Sequence, residues 1–182
     1  LEGCMIENLV VHDPKFMVDG MDSLPGGEVK SVNRLAKQIV LEIRVKTPDD
    51  ETRWLSIHLA MTGRLTWLAT RECQTTPEVV GGPKVEMHTE RGILVFWDIR
   101  RLGRIRLVGS LGELDPGGLD PTNPETEAEE LKVRIRSTTT AVKVALLQQH
   151  RIAGIGNIYA SEILHRARIH PARRGCSLSS TE

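Results

Sequence analysis

The sequence is poor in the features that mark secreted or membrane-embedded chains. Its three cysteines, Cys4, Cys73 and Cys176, are odd in number and far apart, which fits neither a disulfide framework nor the paired spacing of a zinc site. No apolar run reaches membrane-spanning length, and no signal peptide opens the chain. A reducing, cytoplasmic setting without a membrane partner is the expectation. Internal repeats are absent, and so is any excess of charge, since Lys plus Arg and Asp plus Glu both number 24. Bulk charge therefore names no partner.

The distribution of charge is more informative. Residues 111–130 hold seven acids and no Lys or Arg, whereas residues 132–174 hold nine Lys or Arg and a single acid, Glu162. A basic C-terminal third after an acidic stretch is the footprint of a polyanion-binding surface. With 182 residues, the chain can bury about 70% of its unfolded surface, enough for one large or two small cores.

Residues 5–110 read as strands joined by turns. Ile39, Leu41, Ile43 and Val45 alternate with Gln38, Glu42 and Arg44, the period-two pattern of a half-buried strand. Residues 54–59, 93–97 and 104–108 repeat it, and Pro25-Gly26-Gly27, Thr47-Pro48-Asp49-Asp50, Gly81-Gly82-Pro83 and Glu90-Arg91-Gly92 are the breaks. Many short strands at this spacing predict an antiparallel sandwich or barrel over residues 1–114. Three prolines and two glycines make 115–124 a linker. Helical patterns over 125–136, 140–149 and 157–166 then fill a second domain, 125–182, for an α+β fold. A Ser-x-x-Glu capping box at Ser179–Glu182 announces a helix for which no residues remain.

Between the last two helices lies Gln149-His150-Arg151-Ile152-Ala153-Gly154-Ile155-Gly156-Asn157. Gly154 and Gly156 permit backbone angles closed to other residues, and Asn157 is placed to cap a helix whose apolar stripe is Ile158, Ile163 and Leu164. Free N–H groups at such a helix start bind anions, and Arg151, Arg166, Arg168 and His170 are expected around it. The same local pattern also fits a glycine-closed helix hairpin with ordinary capping.

Three stretches, in order and at matching spacing, resemble the formamidopyrimidine-DNA glycosylase (Fpg/Nei) family. They are His58-Leu59-Ala60-Met61-Thr62-Gly63-Arg64-Leu65, Asp98-Ile99-Arg100-Arg101-Leu102-Gly103, and Gly154 to Glu162 running on to Ile169-His170-Pro171. The resemblance implies a β-sandwich followed by a helix–two-turn–helix domain, and a bacterial, DNA-associated, monomeric base-excision enzyme. Such an enzyme removes oxidised purines (8-oxoguanine, formamidopyrimidine) from duplex DNA by base flipping and Schiff-base chemistry, then nicks the abasic strand as an AP lyase. It implies Lys37 as a supporting catalytic lysine near the lesion phosphate, and His58 and Asn157 as phosphate contacts. Met61, Arg100 and Leu102 would fill the gap left by the flipped nucleotide. Lys143 and Tyr159 would make further DNA contacts, and Glu162 would be an internal hydrogen-bond partner. A related glycine turn occurs in ribosomal and topoisomerase proteins, but the His58 and Arg100 motifs in a preceding β-domain argue against that reading.

Two departures stand out. The family's usual Asp-Pro-Arg-Arg-Phe-Gly is Asp-Ile-Arg-Arg-Leu-Gly here, so the wedge is aliphatic and lacks a stacking ring. Gln148 replaces a frequent Asp ahead of the glycine turn. The family's nucleophile is an N-terminal proline amine followed by a glutamate, and it carries a four-cysteine zinc finger; neither motif is in these 182 residues. The expectation is a fragment of a longer enzyme, with no cofactor in this chain and zinc in the parent. Lacking the nucleophile, the fragment is expected to be inactive, and it reads alternatively as a non-catalytic module that binds damaged DNA.

Overall fold

A computed structural model describes residues 1–46, 50–69 and 80–179. The chain divides into two compact units, Leu1–Leu114 and Asp115–Glu182, and the fold is α+β. Cys73, most of the turn at 47–50 and the end of the Ser179–Glu182 box lie outside the described residues.

The first unit is a sandwich of two four-stranded antiparallel sheets. Its strands are β1 (Ile6–Val11), β2 (Glu28–Leu35), β3 (Gln38–Val45), β4 (Glu51–His58), β5 (Gly63–Ala69), β6 (Pro83–Thr89), β7 (Gly92–Asp98) and β8 (Arg104–Val108). One sheet has the order β1-β6-β7-β5 and the other β2-β3-β4-β8. The alternation in β3 does what its period requires, sending Leu41, Ile43 and Val45 into the core while Arg44 stays exposed. Ile6, Val85, Met87 and Phe96 meet them from the opposite sheet. Phe16, from a short 3-10 turn after β1, packs edge-to-face on Phe96 with ring centroids 5.2 Å apart. Each such fully buried side chain contributes about 1.5–3 kcal/mol.

The sheet order has one consequence for the site. The β4–β5 and β7–β8 connections each pass from one sheet to the other. Pairing of His58 with Arg104 and of Gly63 with Asp98 puts both crossings at the same end of the sandwich.

The second unit contains α1 (Ala128–Arg136), α2 (Val142–Leu147) and α3 (Asn157–Ala167). Val142, Leu146, Ile152, Ile155, Ala160, Leu164 and Ile169 form its core. The first two helices are shorter than their sequence patterns. Asn123 accepts the Glu125 N–H through its side chain and the Thr126 N–H through its carbonyl, a turn that delays α1. Thr138 and Thr140 pair through their hydroxyls, and Thr140 donates its N–H to Thr138 Oγ1, which delays α2 in the same way. The stretch read as a linker is part of this unit: Leu119 bridges in parallel to Ile152, donating to the Arg151 carbonyl at 3.0 Å and accepting from Ala153 N–H at 2.8 Å.

Candidate nucleic-acid interface

At the crossing end of the sandwich, Lys37 occupies the two-residue turn between β2 and β3. Its neighbour Ala36 has φ 53°, a value that glycine reaches without strain and alanine does not. Gln38, next along, pairs with His58 at the end of β4, and His58 pairs with Arg104 at the start of β8. Three strand ends therefore gather three basic side chains. Partial burial lowers the Lys37 pKa from its ordinary value. Burial also lowers the His58 pKa, and the charges of Arg104 and Lys37 push it further down.

The two crossing loops meet beside this cluster. After His58, Ala60 turns at φ 52° and Gly63 donates its N–H to the Leu59 carbonyl. A Cβ at Gly63 would collide with that carbonyl oxygen, so the tight loop needs glycine there. Met61, at its tip, is 76% exposed. Asp98, at the end of β7, is 1% exposed and ties the loops together. Its carboxylate accepts Thr62 Oγ1 at 2.5 Å and Gly103 N–H at 2.6 Å. Thr62 Oγ1 in turn accepts the Arg100 N–H at 3.3 Å, and the Arg100 guanidinium reaches Met61 Sδ at 3.8 Å. Burial pulls the Asp98 pKa upward, but hydrogen bonds from Thr62, Gly103 and Leu102, with the Lys15 charge, hold it below the ordinary carboxylate value.

Arg101 anchors the same loop from outside. Its φ is 55°, its guanidinium grips Asp13 through Nε and Nη2, and Lys15 Nζ donates to its carbonyl. With Arg101 held back, Arg100 and Leu102 on either side are exposed. Lys37, His58, Met61, Arg100 and Leu102 thus share one end of the first unit. Sequence reasoning missed Asp98, Thr62 and the Asp13–Arg101 pair as the groups that fix them.

In the second unit the glycine turn forms, but its details differ from the sequence reading. Gly154 has φ 84°, whereas Gly156 is extended at φ −109° and is itself the cap of α3, with no side-chain hydrogen bond. Asn157 is the first helical residue and exposed, so it does not cap the helix. The turn is stapled by Gln149, whose amide donates to the Leu147 and Ile155 carbonyls and accepts the Gly154 N–H. Arg151 is committed elsewhere, to Gln148 Oε1 at 2.7 Å, the Arg134 carbonyl and Ser137 Oγ, which gives Gln148 its role. Arg166, in the last turn of α3, and Arg168, just after it, lie at the far end of the helix, about 15 Å along its axis from the turn.

Ala160 and Leu164 are the buried stripe of α3, while Ile158 is 77% and Ile163 40% exposed. Tyr159 is 69% exposed beside Asn157. Lys143 on α2 donates to Ser161 Oγ at 3.1 Å. Glu162 is exposed and has no hydrogen bond or ion pair among the described residues, so it is not an internal partner. Among the described residues no three His, Cys, Asp or Glu side chains form a metal-holding group, and no helix is long and apolar enough to cross a membrane.

Known proteins resemble this chain in sequence and in fold. The family model for the formamidopyrimidine-DNA glycosylase N-terminal domain matches residues 1–105, and that for the formamidopyrimidine-DNA glycosylase H2TH domain matches residues 118–182. A formamidopyrimidine-DNA glycosylase of Thermomicrobium roseum is 40% identical over 148 residues, covering 70% of this chain and 48% of the relative. One from Heliobacterium modesticaldum is 33% identical over 192 residues, covering 100% of this chain and 67% of the relative. The chain therefore spans about half to two thirds of their length. Among solved structures, Lactococcus lactis Fpg in complex with DNA containing an abasic site has a TM-score of 0.81 at 24% identity, over 100% of this chain and 66% of that one; that likeness is one of fold. Family matches over 1–105 and 118–182, with relatives at 33–40% identity, establish that the chain belongs to the formamidopyrimidine-DNA glycosylase family.

Proposed function

We propose that the chain is the DNA-engaging part of a base-excision glycosylase that removes oxidised purines from duplex DNA and cleaves the abasic strand as a lyase. The observation that carries this reading is the single network at the sandwich end, in which Asp98 and Thr62 hold the Met61 and Arg100 loops together beside Lys37 and His58. In the first unit a DNA phosphate would lie against His58; in the second, Asn157, Tyr159 and Lys143 would contact a DNA backbone. Met61 and Leu102 would enter the stack where the damaged nucleotide leaves it, and the Arg100 guanidinium would hydrogen-bond the widowed base. Cytoplasmic location and a monomeric state belong to the same proposal.

An amine must be neutral to attack the sugar C1′. The lowered pKa of Lys37 increases its neutral fraction. On an abasic aldehyde, its nitrogen would add to C1′, water would leave, and a Schiff base would link protein to DNA. A second reading is a non-catalytic module that binds damaged DNA through the same basic groups, His58 and Lys143 among them, with no covalent step.

Borohydride trapping on a duplex with one abasic site, run beside an electrophoretic binding assay, separates the two. A covalent adduct lost in Lys37→Ala supports lyase chemistry in this chain. Binding without an adduct supports the module, and absence of binding sinks both.

A further inference from the structure

We propose that a cleft beside the C-terminal end of α3 is a second seat for a DNA phosphodiester, with Arg168 as its anchor. The inference rests on the DNA-binding reading above and extends it from Lys143 to His165, Arg168 and His170, which that reading leaves unused. The cleft is lined by Lys143, Ser161, His165, Arg168 and His170, together with apolar side chains, and no carboxylate faces it. Ser161 Oγ accepts from Lys143 Nζ and so holds that ammonium at the rim.

Arg168 is the unusual member. It follows the last residue of α3 at φ 55° and ψ 36°, and its N–H closes the helix on the His165 and Leu164 carbonyls. This left-handed position favours glycine, because a side chain there costs stability. The closing hydrogen bonds come from the backbone, so glycine would keep them. Arg166 already supplies positive charge to the last turn, which offsets the helix dipole. The Arg168 guanidinium makes no hydrogen bond or ion pair among the described residues. A strained arginine that its helix does not need, lining a cleft with the Lys143 ammonium and two imidazoles, is suited to an external anion, and the backbone of a DNA duplex is the occupant.

The test is Arg168→Gly in this chain, with Arg168→Lys as the conservative variant, read by thermal melting and by affinity for an abasic duplex across a salt series. Arg168→Gly is expected to melt at the same or a higher temperature. Its slope of log K against log salt should fall by about 0.9, which is about a fivefold loss of affinity at 0.15 M salt. Arg168→Lys should restore most of the slope. A lower melting temperature for Arg168→Gly, or a duplex affinity and slope equal to the parent's, overturns the phosphate seat and leaves the DNA reading standing. A parent chain that binds no duplex overturns both.

Discussion

Asp13 and Arg101, 88 residues apart, are joined at both carboxylate oxygens, by a hydrogen bond from Nη2 at 2.9 Å and an ion-pair contact from Nε at 2.8 Å. This fork fixes the middle of the loop whose flanking residues are Arg100 and Leu102. Bidentate geometry restricts orientation as well as distance, so the pair aims the loop rather than merely stabilising it.

Asp13→Ala is therefore expected to blunt the preference for the base opposite an abasic site while leaving the salt dependence of binding unchanged. Competition binding against the four opposing bases checks this. An unchanged ranking in Asp13→Ala would remove the pair from the recognition apparatus.

Arg100→Ala should lower that preference further, by about 1–3 kcal/mol at the preferred base. Lys143→Ala should act differently, weakening binding to all four duplexes alike and lowering the salt slope by about 0.9. Equal loss on every duplex for Arg100→Ala would assign it a phosphate rather than a base.

Asp98 titrates below its ordinary value of 3.8. The unfolded chain therefore takes up this proton more readily than the folded one, so the contribution of Asp98 to stability is complete above the ordinary value and is lost as pH falls through the folded value. Asp98→Asn would turn an amide donor toward N–H donors and cost about 1–3 kcal/mol at neutral pH. Urea melts from neutral to acid pH should show parent and variant converging as pH falls through that window; a gap independent of pH would refute the carboxylate's role.

For His58 the sign runs the other way with ligand. Its pKa lies below 6.5 in the free protein, and a phosphate would favour the charged ring, so binding takes up a proton. Affinity should rise as pH falls below the complex's raised value and level off below the free value. Stability of the unbound chain should fall across the interval from the ordinary to the folded value, because the unfolded ring protonates first. An NMR titration of the ring with and without duplex measures both values, and His58→Gln should flatten the binding profile.

Much of this was legible in the sequence, for local reasons. Alternation in β3 and glycine at Gly154 act through neighbouring residues, and the patterns record them directly. The motifs carrying His58, Met61 and Arg100 were visible too, although not what holds them. Asp98 reaches Thr62 across 36 residues and Arg101 reaches Asp13 across 88, and no periodicity encodes such pairs. Asn157 reads as a cap only because Gly156, which caps α3 one residue earlier, carries no polar side chain, and Ile158 lies off the helix face that Ala160 and Leu164 bury. Arg151 looked like an anion ligand only while its partners Ser137 and Arg134 were unknown.

The bridge between Leu119 and Ile152 bears on how the helical unit could be moved between proteins. A graft begun at α1 would carry every helix and the glycine turn, yet leave the Arg151 carbonyl and the buried Ala153 N–H without the partners that Leu119 supplies. Each orphaned group costs about 1–3 kcal/mol, comparable to a whole buried side chain. The transferable piece is thus longer than its helices: the acidic, proline-rich lead-in is a splint for the turn, and a donor segment should start no later than Gly118.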